Sequence, residues 1–263
     1  MFGCLRLNPL NGYPPGTIQD AWQFSESVRK IAVWPKILKI VELLYQRKSI
    51  PFQTLNFNRG TQQKTHSDTI HFQSVPQNFM CGVWVALEDI DAENGPLHYY
   101  PKSHKLPFYD MDSFCLSPDG RFYEEYENII EAIFALGNFE KQEIRVKKGQ
   151  ALVWAANLFH GGSKIINPGR TRHSQVTHYF FSDCMYYTPE MSETFRNKTC
   201  FRDTLQDIRT GEIVPHYYKG VKLEDKQVKV AKFSKAILKK FVPPMLIDAL
   251  KYGRHNLERL LIG

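Results

Sequence analysis

Between residues 52 and 181 the apolar residues of this chain come in short runs bounded by turn-forming residues, a pattern that favours a sheet of many short strands over a helical bundle. FQTLNFN (Phe52 to Asn58) alternates apolar and polar side chains, the two-residue period of a half-buried strand. MCGVWVALEDI (Met80 to Ile90), LHYY (Leu97 to Tyr100), ALVWAANLFH (Ala151 to His160) and THYFF (Thr177 to Phe181) are rich in strand-compatible apolar and aromatic residues. Asn94-Gly95-Pro96 predicts a hairpin over residues 80 to 100. Gly161, Gly162, Pro168 and Gly169 predict a loop joining a strand that ends at His160 to the strand at Thr177.

Helices belong to the flanks. From Thr17 to Gln46 apolar residues recur every three or four positions with Pro35 interrupting, which predicts two helices meeting near that proline. Ile129, Ile130, Ile133, Phe134 and Leu136 beside a run of glutamates predict an amphipathic helix over 121 to 137. The expected architecture is mainly β with flanking helices, a β-sandwich or jelly roll. A length of 263 residues with 43% hydrophobic and 13% aromatic content suits one large packed domain and argues against disorder.

The net charge of +7 would suit anionic partners, but many lysines crowd the end of the chain: Lys219, Lys222, Lys226, Lys229, Lys232, Lys235, Lys239 and Lys240. With Phe233, Ile237 and Phe241 interleaved, this segment reads as a basic helical extension. It is expected to pack on the domain, mediate association or touch a membrane surface. No nucleic-acid motif is present, so nucleic acid is not an expected partner. Five scattered cysteines without a C-x-x-C pair indicate neither a disulfide framework nor structural zinc. There is no apolar run of the roughly 18 residues a membrane span needs. The first residues are too polar for a secretory leader, so a cytoplasmic location is expected.

His66-Ser67-Asp68 follows a predicted strand and a polar turn. Residues i and i+2 of an extended chain share a side, so this imidazole and this carboxylate can reach one metal ion. H-x-D alone is a common chance pattern and needs a third ligand. His160, at the end of an apolar run, is the candidate that completes a two-histidine, one-carboxylate set for iron(II).

Three stretches in order, GTQQKTHSDTIHF, VWVALEDIDAENGPLHYYPKSHK and GQALVWAANLFHGGSKIINPGRTRHSQVTHYFF, resemble the phytanoyl-CoA dioxygenase family of iron(II)/2-oxoglutarate oxygenases over roughly residues 17 to 183. The resemblance implies a double-stranded β-helix of cupin-like jelly-roll type, with His66, Asp68 and His160 as metal ligands. It also implies that Arg172 binds the far carboxylate of 2-oxoglutarate, a task suited to the forked guanidinium. Arg170 is the competitor. Ser174, on the same strand face as Arg172, Trp84 on a neighbouring strand and Gln53 are further expected contacts of the co-substrate. His71, three residues past Asp68, is read first as a surface or packing residue, with lining of the substrate mouth as the alternative.

Residues 1–227 are expected to form the oxygenase domain with its N-terminal helices and 228–263 the basic helical extension. The implied reaction consumes dioxygen and 2-oxoglutarate and hydroxylates a small or carrier-linked substrate. A carboxylate at Asp68 argues against halogenation, whereas desaturation and ring formation stay open. Two other readings also stay open: a non-catalytic metal-binding jelly roll, and a membrane-surface adaptor led by the basic tail. The oligomeric state is not legible.

Overall fold

The computed structural model describes residues 16–193 and 196–224; the extension expected over 228–263 lies outside the described residues. In chain order the main elements are β1 (Thr17–Gln19), α1 (Glu26–Ala32), α2 (Pro35–Tyr45), β2 (Ser49–Phe57), β3 (Gln73–Val75), β4 (Met80–Ala86) and β5 (Leu97–Tyr99). Then follow α3 (Tyr123–Leu136), β6 (Gln142–Glu143), β7 (Ala151–Ala155), β8 (His160–Gly162), β9 (Ser174–Phe181) and β10 (Met185–Tyr187). Five strands make a larger antiparallel sheet in the order β1-β2-β9-β4-β7, and three make a smaller one in the order β6-β5-β8. An isolated bridge between His160 and His66 widens the smaller sheet by one residue. Neighbours in these sheets are far apart in sequence, and the chain passes repeatedly from one sheet to the other. The result is the expected double-stranded β-helix, mainly β with flanking helices.

The predicted helix break at Pro35 is where α2 begins. Ser25 caps α1 by accepting the Val28 amide at 3.5 Å, and Pro35 takes the first turn of α2, where its missing N–H costs nothing. Ile37, Leu38, Val41 and Tyr45 of α2 pack on Cys81, Val83, Tyr179 and Phe181, the outer face of the larger sheet. The pleat turns the alternate residues inward, so Leu55, Val176 and Trp84 form one cross-strand row and Gln53, His178, Gly82 and Trp154 the next. In α3, Tyr126, Ile130 and Phe134 recur every four residues and pack with Ile70, Tyr100, Met111 and Phe159.

Three expectations fail. The stretch read as helical from Thr17 opens instead with strand β1, whose backbone pairs with Leu55–Phe57 of β2. Residues 80 to 100 are not a hairpin, because β4 pairs with β7 and β9 whereas β5 pairs with β6 and β8 in the other sheet. The Asn94 side chain donates to the carbonyls of Asp89 (3.1 Å) and Thr171 (3.0 Å), tying the turn to a distant segment instead of folding β5 back on β4. Ala151 to His160 is not one strand either: the Leu158 amide closes a turn on Ala155 O (2.9 Å), and His160 opens β8 in the smaller sheet. The apolar run continues through that turn because Phe159 packs under α3.

Cys81, Cys115 and Cys184 are free thiols, whereas Cys200 is disulfide-bonded, a bridge the cysteine spacing does not announce. Among the described residues no helix is long and apolar enough to cross a membrane.

Candidate functional site

His66 and His160 are backbone partners: each amide donates to the other's carbonyl at 2.9 Å. This pairing sets the two imidazoles side by side, ring centres 4.6 Å apart. His66 Nδ1 lies 2.9 Å from Lys64 O, and His160 Nδ1 lies 3.0 Å from Leu158 O. A carbonyl only accepts, so each Nδ1 carries a proton and each Nε2 is left to offer its lone pair. Asp68 opens the single-turn 3-10 helix Asp68–Ile70, and its Oδ1 stands 4.0 Å from His66 Nε2 and 3.8 Å from His160 Nε2. All three groups are buried, with ligand atoms within 4.8 Å of one another. Two imidazole nitrogens and one carboxylate oxygen, oriented by their own backbone, are a donor set that suits iron(II).

Electrostatics agree with that assignment. Burial, reinforced by His160, pushes the His66 imidazole down to about 3, so it is neutral at pH 7. Burial pushes the Asp68 carboxyl up, but His160, His178, His66 and the Trp154 N–H outweigh it and hold the group below its ordinary value. A neutral imidazole and an ionised carboxylate need shed no proton to bind a cation.

Trp154 Nε1 donates to Asp68 Oδ2 at 2.7 Å, which leaves Oδ1 free on the side of the histidines. The indole has room because residue 82 on the adjacent strand is glycine. A Cβ there would meet Trp154 Cε2 and Cζ2 at 2.5 Å. Gly82→Ala is therefore expected to displace the indole, cost about 1–3 kcal/mol of stability and weaken iron(II) affinity by roughly 10-fold or more through loss of an outer hydrogen bond. Metal titration and urea unfolding of the variant measure the two effects; unchanged iron affinity would mean that Trp154 does not orient Asp68.

The cavity at this triad is lined from the larger sheet by Leu55, Phe57, Trp84, Trp154, Val176 and His178, and from the smaller by Leu97, His160 and Gly161. Arg172 also lines it, only 1% exposed, with Nε and Nη1 lacking any hydrogen-bond partner among the described residues. Its guanidinium carbon stands 5.7 Å from the Trp84 ring and 5.5 Å from that of Phe57. Burial lowers its pKa to about 10, which still leaves it charged at pH 7. A buried cation with two idle donors calls for an anion, and the fork matches a carboxylate. Arg170, by contrast, is engaged by Asp91 at 2.7 Å and Glu93 at 3.6 Å.

Trp84 lines the cavity. Ser174 is buried with its Oγ unpartnered among the described residues, two positions along β9 from Val176, but it is not part of the lining. Gln53 does not reach the cavity, because its Oε1 is spent on His178 Nδ1 at 3.0 Å.

Sequence reasoning missed His178 and Trp154. For His178 a signal existed, since the alternation that groups Ser174 with Val176 continues to it. For Trp154 there was none, because an indole inside ALVWA reads as core. His71 does line the cavity, its ring held between Glu190 Oε2 (2.9 Å) and Tyr123 OH (3.0 Å).

The family model described as phytanoyl-CoA dioxygenase (PhyH) matches residues 16–174. The peroxisomal phytanoyl-CoA dioxygenase of Bos taurus is 26% identical over 216 residues, covering 73% of this chain and 60% of that protein. The Rattus norvegicus protein of that name is 28% identical over 192 residues, covering 66% and 53%. The chain thus matches less than two thirds of the length of these relatives. Among solved structures, SnoN, a non-haem α-ketoglutarate-dependent epimerase from nogalamycin biosynthesis, superposes with a TM-score of 0.52 at 20% identity, covering 79% of this chain and 74% of its own. The carbocyclase SnoK from the same biosynthesis gives 0.54 at 15% identity, covering 69% of each chain. At such identities the likeness is one of fold.

Proposed function

The chain belongs to the phytanoyl-CoA dioxygenase family, and on that premise we propose that it is an iron(II)- and 2-oxoglutarate-dependent oxygenase that hydroxylates an unactivated C–H bond of a small or carrier-linked organic substrate. Iron(II) with 2-oxoglutarate supplies the oxidising power: dioxygen and 2-oxoglutarate are consumed, succinate and CO2 are released, and one oxygen atom enters the substrate as hydroxyl. The observation that supports this reading best is a single cavity holding both a buried two-histidine, one-carboxylate set and a buried guanidinium with idle donors.

The chain's own residues then have distinct tasks. His66 Nε2, His160 Nε2 and Asp68 Oδ1 hold the metal, and Trp154 keeps the second oxygen of Asp68 turned away. Arg172 grips the far carboxylate of 2-oxoglutarate, with Trp84 beside it. Leu55, Phe57, Phe72, Leu97 and Val176 line the cavity with apolar surface, which limits water and favours a hydrocarbon portion of the substrate at the reacting position.

Anaerobic addition of iron(II) and 2-oxoglutarate to the protein should produce a visible metal-to-ligand charge-transfer band that requires both. A metal-binding jelly roll without catalytic function would bind iron and show no such band. Given the band, metabolite mixtures screened for stimulated succinate release would identify the substrate.

A further inference from the structure

Helix α2 carries a second amphipathic pattern on the side away from the domain. Its inward residues, Ile37, Leu38, Val41 and Tyr45, are spent on the outer face of the larger sheet. Of the residues that look outward, Leu43 is 70% exposed, Leu44 62% and Ile40 42%. Ile40, Leu43 and Leu44 stand at i, i+3 and i+4, one stripe of the helix, and solvent is a costly neighbour for that much hydrocarbon in one place. Lys36 lies one turn before Ile40 and Lys39 one turn before Leu43, both exposed.

Charge is as lopsided as hydropathy. Residues 26–48 hold six basic side chains (Arg29, Lys30, Lys36, Lys39, Arg47, Lys48) and two acidic ones (Glu26, Glu42), a net +4 in a chain of +7. Glu42, the acidic residue of α2 itself, is turned to the domain: its Oε1 accepts from the Ser49 amide (3.1 Å) and hydroxyl (2.9 Å). The outward surface of α2 is therefore leucine, isoleucine and lysine without a carboxylate among the exposed residues. Lysines interleaved with an apolar stripe suit the boundary between anionic headgroups and acyl chains. A second copy of this chain is a poorer occupant, because a two-fold contact of α2 on α2 would set lysines against lysines.

We propose that the outward face of α2 is a docking surface for an anionic phospholipid bilayer, with Ile40, Leu43 and Leu44 entering the interface and Lys36 and Lys39 meeting headgroups. The cavity lies on the opposite face of the sheet that α2 covers, so docking leaves the iron site untouched. This inference stands apart from the oxygenase reading: it needs neither metal nor substrate.

The test is co-sedimentation of the full chain with vesicles of phosphatidylcholine alone and with 30% phosphatidylserine added. Wild type should bind the anionic vesicles at least about 10-fold more tightly than the neutral ones, as expected for several lysines near a charged leaflet. Leu43→Ser with Leu44→Ser should weaken that binding at least about 10-fold through lost apolar burial, and Lys36→Glu with Lys39→Glu should abolish the preference for phosphatidylserine. Circular dichroism and the iron/2-oxoglutarate band should match wild type in both variants. Both variants retain residues 225–263, so binding driven by that basic segment would leave them equal to wild type and overturn the proposal. Equal binding to neutral and anionic vesicles, or a dimer that the leucine variant dissociates in sedimentation velocity, would overturn it as well.

Discussion

Asp68→Ala is expected to weaken iron(II) binding by more than about 100-fold, since loss of an outer hydrogen-bonding partner alone commonly costs 10–100-fold and here a direct ligand is removed. The two imidazoles would remain aligned, because their orientation comes from the carbonyls of Lys64 and Leu158 and from the mutual backbone pair, none of which involves Asp68. The variant should also be less stable without metal. Trp154 Nε1 loses its acceptor in a buried position, and an unsatisfied buried donor costs about 1–3 kcal/mol. Asp68→Asn separates the two effects: its amide oxygen can still accept from the indole, so stability should return while iron affinity stays low for want of the negative charge. Metal titration with thermal unfolding of the apoproteins distinguishes them, and near-normal iron affinity in Asp68→Ala would remove Asp68 from the ligand set.

Arg172→Leu is expected to produce the opposite signs in stability and binding. The guanidinium is buried with two donors lacking a partner among the described residues and its pKa depressed by burial, so in the absence of an anion it is a burden on the fold. Its replacement by a hydrocarbon of smaller volume should leave the apoprotein as stable as wild type or more so. Affinity for 2-oxoglutarate should fall by roughly 30-fold or more, the equivalent of the 2 kcal/mol lower bound for truncating one partner of a buried charge pair. Iron(II) affinity alone should hardly change. Arg170→Leu is the control: its partners are the surface carboxylates of Asp91 and Glu93, so the 2-oxoglutarate requirement should stay as in wild type. Should Arg170→Leu show the defect and Arg172→Leu not, the assignment of the co-substrate arginine would be reversed.

The first prediction rests on a pair that could be read locally, whereas the second rests on a role that the family resemblance implied. His66 and Asp68 are two residues apart, so their convergence needs only an extended backbone; the role of Arg172 came with the family resemblance and not from its spacing. The strand runs, the helix break at Pro35 and the amphipathic repeat of α3 were legible for the same reason: each is a periodicity within one segment, and burial of one face imposes it wherever that segment lies.

What escaped the sequence was pairing across distance. Nothing in Leu97 to Tyr100 says whether it returns along β4 or crosses to the other sheet, because alternation specifies which faces are apolar and not which strand lies alongside. The side chains of Asn94 made that choice by reaching Thr171. Nor could the chain order reveal that Gly82 makes way for Trp154 so that an indole can hold Asp68 across 86 residues, or that Gln53 serves His178 and not the cavity. The sequence by itself determined the ligand types, the strand content and the buried faces, all set by the chemistry of neighbouring residues. Only the tertiary structure decided which sheet each strand joined and which groups stand behind the ligands, because those depend on contacts whose partners are far apart along the chain.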